Sequence, residues 1–111
     1  MVYSLFYQEY GESSMDNVLK YTELFDYYGN LLTEKEKIYF KDYYFENFSL
    51  SEIAENNGIS RNAIHKQIKS AEQKLEEYEE KLNMIKRDQK IKKILNEIKD
   101  ERVSKILEIM W

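Results

Sequence analysis

Leu50-Ser51-Glu52-Ile53-Ala54-Glu55-Asn56-Asn57-Gly58-Ile59-Ser60-Arg61-Asn62-Ala63-Ile64-His65-Lys66-Gln67-Ile68-Lys69 decides the fold. The stretch reads as a helix-turn-helix. Ser51 to Asn56 predicts a short first helix, with Ser49 or Ser51 as its N-cap. Ala54 is small where two helices must cross closely. Asn57-Gly58 supplies the turn, because glycine takes a positive φ without steric cost. Ile59 is expected to pack beneath that turn. The Ser60 hydroxyl can then accept from the orphan amides that open a second helix. Ile64 and Ile68, four apart, face inward and leave Arg61, Asn62, His65, Lys66 and Lys69 outward. In a helix-turn-helix the first turns of the second helix enter the major groove. Arg and Asn read base edges there, and Lys holds phosphate. The same pattern without a partner is an αα-corner with a basic outer face.

Upstream, Asp16 to about Tyr28 predicts a first helix. Leu24, Tyr28 and Leu31, flanked by Tyr21 and Phe25, form its apolar stripe, and Gly29-Asn30 ends it. Thr33 with Glu36 three residues on has the pattern of a capping box. A second helix then runs through Ile38, Phe40, Tyr43 and Tyr44 to about Asn47, and Phe48 is expected to plug the junction with the helix-turn-helix. Residues 1–14 lack a helical period and are expected to be an extension outside a single helical domain at 15–111.

Downstream of Ser60 no stop signal intervenes. Ile64, Ile68, Ala71, Leu75, Tyr78, Leu82 and Ile85 are spaced 4, 3, 4, 3, 4, 3, a heptad seam that extends the reading helix to about Met84. Its cover is expected from the C-terminal helices or from a second copy of the chain. Glu76, Glu77, Glu79, Glu80 and Lys81 read as a solvated face. Ile91, Ile94, Leu95 and Ile98 mark another amphipathic segment. Val103, Ile106, Leu107 and Met110 mark a last one after Asp100-Glu101.

With 111 residues, no proline, three glycines and abundant Leu, Ile, Lys and Glu, the chain reads as all-α. It has no cysteine, which excludes disulfides and thiolate metal sites. No apolar run approaches the ~20 residues that span a membrane, and a cytoplasmic location is expected. The net charge of −4 opposes avid, non-specific binding to nucleic acid. The charge is uneven, however. Residues 1–48 carry four lysines against nine acidic residues, a net of −5, whereas Ser60 to Leu75 carries four basic residues against one acidic, a net of +3. Aromatic crowding at Tyr43-Tyr44-Phe45 suggests base stacking, but stacking platforms sit in basic surface and this segment is acidic. Core packing and a self-association face account for it better. His65 is the only histidine, so one chain holds no histidine metal site or triad. It reads equally as a groove contact or an exposed helix residue. No phosphate loop is present, no cofactor is implied, and no catalytic constellation argues for an enzyme.

The strings Leu31-Leu32-Thr33-Glu34-Lys35, Tyr43-Tyr44, Leu50-Ser51-Glu52-Ile53-Ala54-Glu55, Ile59-Ser60-Arg61-Asn62-Ala63-Ile64 and Leu75-Glu76-Glu77-Tyr78-Glu79-Glu80-Lys81-Leu82 carry a resemblance over residues 16–86. The chain resembles the YlxM family, small bacterial proteins similar to the DNA-binding region four of sigma factors. The resemblance implies a sigma region four-like helix-turn-helix at 50–69, with a long extended recognition helix and short C-terminal helices. It also implies a link to the signal recognition particle pathway. The residues themselves favour a DNA-binding regulator acting as a homodimer, with Arg61, Asn62, His65 and Lys66 reading the groove and Lys69 on phosphate. The alternative is an interaction protein that binds the particle's GTPase or its RNA, with the helix-turn-helix as scaffold.

Overall fold

The computed structural model describes residues 14–98 and 100–110, all in helices and short connections. The expected extension at 1–14 therefore lies outside the described residues except for Ser14. In chain order the helices are α1 (Ser14–Tyr28), a 3-10 turn (Gly29–Leu31), α2 (Glu34–Tyr44), α3 (Leu50–Asn57), α4 (Arg61–Leu82), α5 (Met84–Glu97) and α6 (Glu101–Met110). They fall into two units that divide after Lys81. No helix among the described residues is long and apolar enough to cross a membrane.

The first unit is built around α4. Ile64, Ile68, Ala71 and Leu75 of the seam are buried together with Leu24 and Tyr28 of α1, Tyr39, Phe40 and Tyr44 of α2, and Ile53 and Ala54 of α3. Phe25 stacks on Phe40 with ring centroids 4.6 Å apart. The upper seam is thus covered from within the same unit, by the aromatic helices α1 and α2. This corrects the expectation that the C-terminal helices or a second copy must supply the cover. Lower down, Tyr78 is half-buried and Leu82 exposed.

Polar ties fix how α1 and α2 lie along α4. The Tyr28 hydroxyl donates to Glu79 Oε1 at 2.6 Å, and the Tyr21 hydroxyl to Glu76 Oε1 at 2.7 Å. Lys20 Nζ lies 2.5 Å from the same Glu76 oxygen. The Tyr44 hydroxyl donates to Glu72 Oε2. On the other flank, Lys74 Nζ reaches Glu36 Oε2 at 2.9 Å, and the Ser70 hydroxyl donates to it at 3.3 Å. The acidic run on α4 is therefore not wholly a solvated face: Glu72 and Glu79 are buried. Tyrosine hydroxyls that reach across from α1 and α2 make that burial tolerable.

The helix ends follow local chemistry. The Glu36 amide donates to Thr33 Oγ1 and the Thr33 amide to Glu36 Oε1, completing the expected capping box. Ser49, rather than Ser51, caps α3 through the same reciprocal bonds with Glu52. After Tyr28 the tighter 3-10 turn advances the chain by about 120° per residue instead of about 100°. It places Leu32 inside and leaves Leu31, expected in the stripe, exposed. Helix α2 stops at Tyr44, three residues before the expected end. Asn47 then takes a positive φ of 58°, and the Phe48 amide donates to the Asp42 carbonyl at 2.9 Å. Phe48 is exposed, so it does not plug the junction as expected. Asn83, at φ 54°, ends α4 and opens α5.

The second unit contains α5 and α6. Asp100 opens α6: its carboxylate accepts from the Arg102 amide at 2.8 Å and pairs with the Arg102 guanidinium at 3.2 Å. Ile94, Ile98, Ile106, Ile109 and Met110 are exposed.

Candidate nucleic-acid interface

The turn between α3 and α4 sets the geometry of the site. Gly58 sits at φ 65° and ψ 30°. Its amide donates to the Glu55 carbonyl, and the Ile59 amide donates to the Ala54 carbonyl at 3.2 Å. This pair of bonds is a Schellman motif, and it needs a left-handed residue at Gly58. The backbone closes the turn by itself, and Ile59 is exposed instead of packed beneath it as expected. The Asn57 side-chain amide also donates to the Ile53 carbonyl at 2.7 Å. Ser60 caps α4 as expected, its hydroxyl accepting from the Ala63 amide at 3.1 Å.

Ile64 is fully buried and Ile68 nearly so, anchoring the first two turns of α4. Arg61, Asn62, His65, Lys66 and Lys69 are all exposed. Lys69 Nζ lies 3.4 Å from Glu72 Oε1, so this cation is tethered to a buried carboxylate.

Four of these residues share a concavity and one does not. Arg61, Asn62, His65 and Lys69 form one wall of a groove of about 710 Å³. Asn17 and Val18 of α1, Tyr43 of α2, and Asn47, Phe48 and Leu50 form the opposite side. Tyr44, Ile68 and Glu72 contribute buried surface to it. Lys66 is not in this lining. Sequence reasoning missed the far wall. Tyr43 and Phe48 lie thirteen or more residues before Arg61, and only the left-handed turn at Asn47 brings them alongside. In the sequence the aromatic crowding at Tyr43 suggests base stacking but is discounted because its segment is acidic, and Phe48 reads as a junction plug; neither reading sets them beside Arg61.

Burial pushes the Tyr44 hydroxyl well above the usual phenol range, and the Glu72 carboxylate beside it pushes the same way. Tyr44 therefore stays protonated and keeps donating to Glu72. On the opposite flank, burial would raise the Glu36 carboxyl. The Thr33 amide, the Lys74 ammonium and the Thr33 hydroxyl outweigh burial and hold it below the usual range. The hydrogen bond to Glu36 raises Lys74 in turn.

These features define a helix-turn-helix protein whose second helix presents an exposed cationic tip. Residues 15–109 match the family described as "Putative helix-turn-helix protein, YlxM / p13 like". The chain is 44% identical to UPF0122 protein YlxM of Bacillus subtilis over 87 residues, 78% of this chain and 79% of the relative. It is 45% identical over 86 residues to UPF0122 protein BH2485 of Halalkalibacterium halodurans, with the same coverage of each chain. Against UPF0122 protein MYPE4850 of Malacoplasma penetrans it is 50% identical over 80 residues, 72% of this chain and 75% of the relative. The chain belongs to the UPF0122 family of YlxM-like helix-turn-helix proteins.

Proposed function

We propose that this protein is a DNA-binding regulator that reads duplex DNA through the first turns of α4 and acts as a homodimer. Arg61, Asn62, His65 and Lys66 contact base edges, and Lys69 contacts phosphate. The observation that carries this reading is the exposure of all five side chains on a helix tip fixed by buried Ile64 and Ile68. A rigid helix with exposed polar side chains in its first turns is what major-groove reading requires. Self-association is supported by the four exposed isoleucines of the second unit, Ile94, Ile98, Ile106 and Ile109, which a second copy could cover. The test is a binding titration of the full chain carrying Arg61→Ala and Lys66→Ala. Duplex affinity should fall at least about tenfold, on the scale of one good bidentate base pairing, with helicity unchanged. Unchanged affinity overturns the assignment of those residues.

A second reading rests on charge. Residues 1–81 carry nine basic against sixteen acidic residues, a net of −7, which limits attraction to phosphate and suits a basic protein surface. In that reading the chain binds the GTPase of the signal recognition particle, with the helix-turn-helix as scaffold; the charge argument does not extend to the particle's RNA, which is the other form of this alternative. Recovery of native complexes with and without nuclease separates the two, since DNA in the complex supports the first and the particle's components support the second.

A further inference from the structure

We infer that the groove beside the tip of α4 holds one unpaired nucleotide, its base against Tyr43 and Phe48 and its phosphate at Lys69. This rests on the reading that the tip binds nucleic acid, and it specifies what kind of nucleic acid the site prefers. A protruding helix is enough to read a stacked duplex, and a concave aromatic wall beside it adds nothing there. The rings of a duplex hide their π-faces in the stack. Aromatic side chains stack only on bases that have left it.

The groove has the parts for such a base. Its volume of about 710 Å³ lies within the range of small-ligand sites. Tyr43 and Phe48 are both more than a third exposed along it. Tyr43 is also held in place, since its ring stands at 88° to Tyr44 with centroids 5.1 Å apart. Tyr44 is itself buried and tied to Glu72. A preset ring loses little conformational freedom when a base stacks on it.

The charge argument that weighs against stacking in the linear sequence does not hold in the fold. The aromatics belong to an acidic segment, but across the groove they meet Arg61 and Lys69 from the basic one. The one carboxylate in the lining, Glu72, is engaged by Tyr44 and Lys69.

The experiment uses the full chain and a duplex of about two helical turns. It is compared with the same duplex carrying a single bulged 2-aminopurine, each in DNA and RNA form. Binding should be about fivefold or more tighter to the bulged probe in at least one backbone, with 2-aminopurine fluorescence quenched on binding. The arm that shows this identifies the backbone. Tyr43→Leu with Phe48→Leu should abolish the preference and the quenching while leaving the affinity for intact duplex and the circular dichroism unchanged. Equal affinity for the intact and bulged probes, with fluorescence unaltered, overturns this inference and leaves duplex reading standing. Failure to bind any of the probes overturns both.

Discussion

Glu72 connects the body of the protein to its exposed tip. One carboxylate oxygen accepts from buried Tyr44, and the other lies 3.4 Å from Lys69 on the candidate interface. Replacing Tyr44 with Phe leaves that carboxylate buried with one donor fewer, at an expected cost of about 1–3 kcal/mol. Urea unfolding measures it. Adding Glu72→Met should return part of the stability, because a buried polar pair costs most when only one partner is removed. Glu36 offers a pH test. Its folded-state carboxyl is held low, so the stability it contributes is present above the unfolded value, near 4.5, and is lost as pH falls through the lower folded value. Lys74 is raised, so its share is present below its ordinary 10.5 and is lost as pH rises through the folded value. Glu36→Gln should therefore lower stability by about 1–2 kcal/mol at neutral pH. The gap between variant and parent should close in strong acid.

At the scale of elements, the Schellman turn at Gly58 holds the angle between α3 and α4. Gly58→Ala meets no steric obstacle around its new Cβ, so its cost is the left-handed backbone alone, roughly 1–2 kcal/mol. Thermal unfolding should show that cost, and a variant as stable as the parent would show that the turn can relax. Gly29 is a different case. A Cβ there meets the Phe25 ring at 2.9 Å, so Gly29→Ala must displace a ring stacked on Phe40. Much of this level was legible in the sequence. The caps at Thr33, Ser49 and Ser60, the positive φ at Gly58, and the inward Ile64 and Ile68 are local chemistry, and local chemistry is written in adjacent residues. What crosses between helices was not legible. No spacing rule says that Tyr28 will meet Glu79 or Tyr44 will meet Glu72. A solvated glutamate and a buried one look alike until a partner helix is placed. The same holds for the groove: Tyr43 and Phe48 come to face Arg61 only through a left-handed Asn47, which read as part of a helix.

For the whole molecule, charge is divided as sharply as structure. Residues 1–81 carry a net −7, whereas residues 82–111 carry eight basic against five acidic residues, a net +3. The second unit adds exposed Ile94, Ile98, Ile106 and Ile109. If these residues close a homodimer, Ile94→Asp with Ile109→Asp should shift sedimentation from dimer to monomer and leave the helicity of the chain largely intact. An unchanged sedimentation profile would place self-association elsewhere. Within the acidic residues 1–81, attraction to phosphate rests on a few cations at the tip of α4, so removing them should be visible in the salt dependence. The most direct measurement is the affinity for duplex DNA as a function of salt, for the parent and for the Arg61→Ala, Lys66→Ala, Lys69→Ala variant. Each phosphate that is no longer neutralised should reduce the log–log slope by about 0.9, so a tip that meets the backbone predicts a slope shallower by roughly 1–3. Identical slopes for the two proteins would contradict the claim that this helix tip is where nucleic acid binds.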